Sequence, residues 1–310
     1  MEFPRGADYH PLKELCCALG RPHPLLSRLL APRATTNPVS LARAVRGKVV
    51  LLTGASFGIG RALALRLGQA GAKLLLAARS AQALETLAGE IKAAGGEARV
   101  LPLDLADPAA IDALAARLAT DGVVADVVIH NAGKSIRRLI TDSLDRAHDF
   151  SRTIAVNYLG PVRLQLALLP AMLTKRGGQI VAVSSLGVRL PPAPRWAAYS
   201  ASKSAFDVWM ASARPELAAY GIACTSIYLG LVHTRMSEPT ERYRGMPGLT
   251  ADEAARVICR ALVCRPRRIE PWWIRPLRVL APWCEGTVDR LFRRSLRREL
   301  AGRTAQDRRG

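Results

Sequence analysis

No stretch of this sequence reaches the roughly 18 consecutive apolar residues that a membrane-crossing helix needs. A proline and two acids interrupt the first residues, and Leu15 to Gly20 is too short for the apolar core of a secretory signal. Cysteine is scarce. Cys16, Cys17, Cys224, Cys259, Cys264 and Cys284 show no paired metal-ligand spacing, and adjacent Cys16 and Cys17 are poor disulfide partners. These absences argue against spanning, secreted and metal-dependent proteins, and for reduced thiols in a cytoplasmic chain. Internal repeats and any recognised nucleic-acid-binding module are missing too, so no nucleic-acid partner is expected. Acid is the other shortage: 25 Asp/Glu stand against 45 Lys/Arg, for a net charge of +20. The imbalance belongs largely to the ends, with 8 basic against 3 acidic residues in 1–48 and 15 against 5 in 256–310.

What is present is enough for one large α/β core: 310 residues, 49% of them hydrophobic. Six prolines between Pro4 and Pro38 leave no room for a long helix in residues 1–45, where only short turns around Leu12–Leu19 and Leu25–Leu30 are expected. From Lys48 on, short apolar runs alternate with helical patterns. Strands are expected at 48–52, 73–78, 98–103, 123–130, 179–184 and 223–229. Helices are expected at 59–70, 83–94, 199–220 and, behind the capping box Thr250-Ala251-Asp252-Glu253, up to about Cys264. A single long helix over 144–174 should carry Asn157. That alternation predicts a Rossmann-type doubly wound parallel sheet of about seven strands with helices on both faces. Residues 1–45 are expected to form a partly ordered N-terminal extension, 46–268 the α/β domain, and 269–310 a basic amphipathic tail.

Two elements carry the chemistry. Tyr199 and Lys203 stand one helical turn apart, so a phenol and an ammonium share a helix face, and the lysine is expected to lower the phenol pKa electrostatically. About 145 residues upstream, Thr53-Gly54-Ala55-Ser56-Phe57-Gly58-Ile59-Gly60 joins an apolar strand to a helix, the place where a dinucleotide pyrophosphate sits. Gly54 serves the tight turn, Gly58 the close approach of backbone to phosphate, and Gly60 the packing of helix on strand; Ser56 and Ile59 contact phosphate or ribose. Phe57 either packs or covers the cleft entrance. The second strand ends in Arg79-Ser80 where a carboxylate would accept the ribose 2′-hydroxyl of NAD. Arginine suits a 2′-phosphate, which points to NADPH/NADP+ ahead of NADH.

These motifs, in this order, closely resemble the short-chain dehydrogenase/reductase family over about Arg46 to Arg268. Its cofactor turn is matched by Thr53 to Gly60, its Asn-Ala-Gly by Asn131-Ala132-Gly133, and its helical asparagine by Asn157. Its catalytic serine is matched by Ser185, and its Pro-Gly-x-Val-x-Thr by Leu229-Gly230-Leu231-Val232-His233-Thr234, with leucine in the proline's place. Ser185 lies 14 positions before Tyr199, one more than usual, with the extra residue in the loop 189–194; Ser184 is the fallback. His130 stands where a second asparagine is common and is read as a strand-end residue without chemical duty, as His233 is read as part of the substrate loop.

The resemblance implies that Tyr199 donates a proton to a carbonyl oxygen, Ser185 holds that oxygen, Lys203 tunes the phenol, and Asn157 supports a water that supplies Lys203. It implies further that Asp104 and Leu105 embrace the adenine, Asn131 to Gly133 line the cofactor cleft, and Gly230, Val232 and Thr234 flank the nicotinamide. A homodimer or homotetramer is expected.

Residues 248–255, with Arg265-Pro266-Arg267-Arg268, are similar to bacterial reductases of fatty acyl and other lipophilic carbonyl compounds; the Leu-Gly pair is shared with hydroxysteroid dehydrogenases. An NADP-dependent dehydrogenase working in the oxidative direction and a non-catalytic membrane-associated scaffold are the alternatives. In the tail, Trp272, Trp273 and Trp283 sit among arginines, and Val288, Leu291, Phe292 and Leu296 follow at helical spacing. An anionic membrane surface, giving peripheral attachment on the cytoplasmic face, and packing on the domain or a sister subunit are equal readings of it. The tail from about Glu270 is expected to be dispensable for the chemistry.

Overall fold

The computed structural model describes residues 31, 32, 34, 37–240, 243 and 245–307. The turns expected in 12–30 lie outside them. Strands β1 (Val49–Thr53), β2 (Lys73–Ala78), β3 (Glu97–Pro102), β4 (Val127–His130), β5 (Gly178–Ser185), β6 (Ile222–Leu229) and β9 (Arg268–Ile269) form one parallel sheet in the order β3-β2-β1-β4-β5-β6-β9. The doubly wound sheet is as expected, with its order reversing between β1 and β4. A two-residue pair, β7 (Val232–His233) with β8 (Leu249–Thr250), stands apart at the edge of the cleft.

Alternation along each strand fills both faces. Val50 and Leu52 of β1 enter one core beneath α2 (Gly58–Gln69), α3 (Ala81–Ala93) and α8 (Ala251–Cys264). Leu51 enters the other, beneath α4 (Pro108–Thr120), α6 (Gly160–Lys175) and α7 (Ala197–Ala218). The capping box at the start of α8 is formed: Thr250 Oγ1 accepts from Glu253 N, and Glu253 Oε2 accepts from Thr250 N.

The structure refines three expectations. The N-terminal extension ends in a docked helix, α1 (Pro38–Val45), whose Leu41 and Val45 are buried against the first core. Asn37 caps it and Pro38 occupies its first position, so the proline that breaks helices elsewhere starts one here. The boundary at 46 therefore falls behind a packed element. The long helix over 144–174 begins at α5 (Ala147–Ile154) and passes through a π-turn, Ala155–Leu159, before α6. Asn157 sits in that π-turn, a distortion common at functional sites. At the other end, β9 supplies the seventh strand, and Pro271 and Ile274 are buried, so the domain runs past 268. From Ile274 a single helix, α9 (Ile274–Asp307), completes the described chain.

Candidate active site

The cofactor turn is closed by atoms that leave no room for side chains. Gly54 adopts φ +67°, and a Cβ on it would come within 2.8 Å of Ala132 Cα. A Cβ on Gly60 would lie 2.0 Å from the Gly54 carbonyl oxygen, which fixes helix against strand. Asn131 binds the turn from β4: its Nδ2 donates to the carbonyls of Thr53 and Gly54, each at 3.1 Å. Thr53 Oγ1 accepts from the backbone N–H groups of Asn131 and Ala132, each at 3.1 Å. No side chain caps the N-terminus of α2, so its first amides face the cleft. Phe57 stands exposed at that position with the Arg235 guanidinium 5.2 Å over its ring.

Asn157 is buried, with both ends of its amide engaged. Its Oδ1 accepts from Lys134 N at 2.8 Å, and its Nδ2 donates to Lys134 O at 2.8 Å and Ser202 Oγ at 2.9 Å. Ser202 in turn donates to the Tyr199 carbonyl at 2.8 Å, tying the π-turn to α7. Lys203 Nζ donates to Val183 O at 3.1 Å, and a Cβ on Gly133 would come within 3.2 Å of it. Burial pushes the Lys203 ammonium down to about 8. The Tyr199 phenol is pushed up, by burial first, with a hydrogen bond from Ser185 opposing. That differs from the expected lowering by Lys203: the desolvated site holds Lys203 on a backbone carbonyl, and burial of the phenol outweighs the rest.

Their surroundings distinguish the two serines. Ser185 lies close enough to the phenol to oppose the rise in its pKa and accepts from Gly187 N at 3.2 Å, whereas the Ser184 hydroxyl is buried without a partner among the described residues. His130 is buried, with Nε2 3.0 Å from Gln165 Oε1 and its ring edge-on to Phe206; burial lowers its pKa to about 4. His233 is exposed and meets Met246 O at 3.1 Å.

One cleft of about 1060 Å³ at the C-terminal edge of the sheet gathers every residue given a catalytic or cofactor role in the sequence except Asn157 and Gly60, which lie just behind its wall. Arg79 reaches it with no carboxylate paired to it among the described residues, beside Ser80, whose hydroxyl caps α3 by accepting from Ala83 N. Asp104 Oδ1 accepts from Ala106 N at 2.9 Å, and Leu105 is buried beside it. Gly230, Val232 and Thr234 close the far side.

Several lining residues were not legible in the sequence. Lys134 and Arg152 join Arg79, and Lys134 is lowered by burial and then by those two cations. Trp196 packs edge-on to Tyr199 and stacks on Tyr243, with ring centroids 5.6 and 6.4 Å apart. Lys134 follows Asn131-Ala132-Gly133 directly, a signal that was available; Tyr243 lies 44 positions from Tyr199 and gave none.

A family model for short chain dehydrogenases matches residues 48–244, more than half of the chain. The chain belongs to the short-chain dehydrogenase family. It is an oxidoreductase of that family, and its relatives cover most of its length. A fatty acyl-CoA reductase of Acinetobacter baylyi is 47% identical over 225 residues, spanning 73% of this chain and 76% of its own. A fatty acyl-CoA reductase of Mycobacterium tuberculosis is 40% identical over 260 residues, spanning 84% and 87%. Among solved structures, a metagenomic short-chain oxidoreductase in complex with NADP superposes with a TM-score of 0.61 at 32% identity, covering 71% of this chain and 92% of its own.

Proposed function

We propose that this enzyme is an NADPH-dependent reductase of a lipophilic acyl carbonyl, an acyl thioester or fatty aldehyde. The observation that carries the reading is the convergence of Ser185, Tyr199 and Lys203 on one cleft beside the cofactor turn. The residues present fit a phosphorylated dinucleotide. The turn has no Cβ in the way, the α2 amides are uncapped by side chains, and Arg79 is free of carboxylate partners among the described residues. Gly54, Ser56, Phe57, Gly58, Ile59 and Gly60 would hold the diphosphate, Arg79 and Ser80 the 2′-phosphate, Asp104 and Leu105 the adenine. Asn131, Ala132, Gly133, Lys203, Gly230, Val232 and Thr234 would hold the nicotinamide half. When bound, the reduced nicotinamide supplies hydride to the carbonyl carbon.

The chain's own groups handle the oxygen and the proton. Ser185 and Tyr199 bind the carbonyl oxygen together, which polarises it. Tyr199 gives its proton to that oxygen as negative charge develops, and a protonated Lys203 behind it stabilises the phenolate left over. Asn157, locked by three hydrogen bonds, fixes the backbone of Lys134 and holds the start of α7 in place. Leu186, Leu190, Pro191, Leu231 and Met236 give the cleft an apolar wall suited to an acyl chain, and the relatives named as fatty acyl-CoA reductases support that substrate class. The intact serine, tyrosine and lysine in one cleft count against a non-catalytic scaffold.

NADPH consumption should be followed with long-chain acyl-CoA, fatty aldehyde, steroid and β-ketoacyl substrates, alongside a Tyr199→Phe enzyme. Turnover of the acyl substrates that falls by about 10²–10⁴-fold in the variant, with NADPH affinity nearly unchanged, is expected. Activity confined to steroid oxidation with NADP+ would overturn the substrate and direction, and a fully active variant would overturn the role of Tyr199.

A further inference from the structure

The helix α9 starts beyond the cleft loop and is covered on one side only: Ala281, Val288, Phe292 and Leu296 are half-buried along one face, and the face opposite is exposed. Of its described side chains only Ile274 is fully buried; Val279 is 71% and Trp283 87% exposed, and Trp272 just ahead of the helix is 68% exposed. Single exposed apolar residues are ordinary, but these recur on one side. At 3.6 residues per turn, Val279, Leu280, Trp283 and Leu291 fall within about 120° of arc. Arg290, Arg294 and Arg297 continue the same arc toward the C-terminus, while Glu285 and Asp289 fall on the opposite side. The stripe is therefore apolar for its first half and cationic for its second, with the acids turned away.

In a twofold pair the stripe meets itself, which can cover its apolar half but brings none of the carboxylates of α9 to its arginines. An anionic lipid surface offers acyl chains for the tryptophan and valine and phosphates for the arginines. No described helix is long and apolar enough to cross a membrane, which leaves lying on it.

The root of the helix is firm. Glu270 Oε2 accepts from Arg189 Nε at 3.0 Å, with these side chains 7% and 6% exposed, and the Arg189 guanidinium lies 4.8 Å over the Tyr228 ring. Arg189 opens the loop whose Leu190 and Pro191 line the cleft. We propose that α9 docks flat on an anionic bilayer through this stripe and, through the Glu270–Arg189 pair, holds the cleft mouth beside the lipid. That the substrate enters from the lipid rests on the acyl reading above; the docking itself does not.

Sedimentation of the full chain with vesicles, without cofactor or substrate, separates the two. The chain should pellet at low salt with phosphatidylcholine–phosphatidylglycerol vesicles, and stay in solution with phosphatidylcholine alone or at high salt. Arg294→Gln with Arg297→Gln should lower the partition coefficient about thirtyfold. Val279→Ser with Trp283→Ala should lower it by about tenfold or more, with thermal unfolding unchanged because both sites are exposed. Equal pelleting by parent and variants, or a parent that ignores anionic vesicles, overturns the proposal. So does a concentration-dependent dimer lost in the Val279→Ser, Trp283→Ala chain, which would assign the stripe to a second copy.

Discussion

Helices α8 and α9 are separated by nine residues and have opposite fates. The 14-residue α8 buries Ala254, Ala255, Val257, Ile258, Cys259, Ala261 and Leu262, while among the described side chains of the 34-residue α9 only Ile274 is fully buried. Both have apolar side chains at helical spacing. The difference is how far each is covered: α8 presents small residues to α2 and to the docked α1, so backbones approach and branched side chains interdigitate, whereas α9 is half-buried at Ala281, Val288, Phe292 and Leu296 and bare on the opposite side. α9 runs about 51 Å, longer than a small domain is wide, and carries arginine at Arg275, Arg278, Arg290, Arg293, Arg294 and Arg297. An amphipathic pattern states that a face wants cover. It does not state which surface provides it.

The junction between the two helices gives the largest test. Glu270→Ala strands the buried Arg189 guanidinium, and a cost of about 3–5 kcal/mol in urea unfolding is expected. A cost near zero would mean that the tail's root is not fastened to the cleft loop. It follows that a chain cut after Ile269 is a poor measure of what the tail does, and the dispensable part begins beyond Ile274 rather than at Glu270.

Next come matched truncations in the two helices. Ile258→Ala in α8 should cost about 2–5 kcal/mol, whereas Leu280→Ala in α9 should change stability by less than about 0.5 kcal/mol without lipid. Comparable costs would show that the Leu280 side of α9 also has a protein mate and would collapse the contrast.

Charges sharpen it in a third way, since domain arginines act singly and tail arginines together. Arg79→Asp should weaken NADPH binding by about 1.5–3 kcal/mol, one to two decades, and leave NADH binding nearly unchanged. Neutralising Arg294 should alter neither. Unchanged cofactor preference after Arg79→Asp would place the reading of the 2′-phosphate elsewhere, with Lys134 and Arg152 the next residues to test.

The most gradual effect is a slope. His130 is held near 4, below the 6.5 of an exposed histidine, so between those values the unfolded chain binds a proton that the folded chain refuses. Stability should therefore fall as pH drops from about 6.5 to about 4, by at most about 1.4 kcal/mol per unit. His130→Asn should flatten this slope, while removal of α9, which has no histidine, should leave it unchanged. A slope that persists in His130→Asn would assign it to another group.

Much of the domain was legible because its signals are local. Strand–helix alternation set six of the seven strands within a few residues, and the Thr250–Glu253 box marked the start of α8. Residues Arg268 and Ile269 were invisible as a strand, since two residues carry no period, and only pairing with Ser226 and Ile227 makes them one. The π-turn at Asn157 was equally silent, because it is one extra residue in a continuous apolar pattern, fixed by bonds to Lys134 and Ser202.

The sequence by itself determined the sheet, the glycine turn, and the order of Asn157, Ser185, Tyr199 and Lys203, because backbone geometry and helical spacing act over a few residues. The tertiary structure decided what depends on distant neighbours. It turned Ser185 rather than Ser184 toward the phenol, and its burial raised the pKa of Tyr199 while lowering that of Lys203. It also sank the Arg189–Glu270 pair and left the stripe of α9 bare. Desolvation and packing are sums over surrounding atoms, and those atoms come from segments that the linear order keeps far apart.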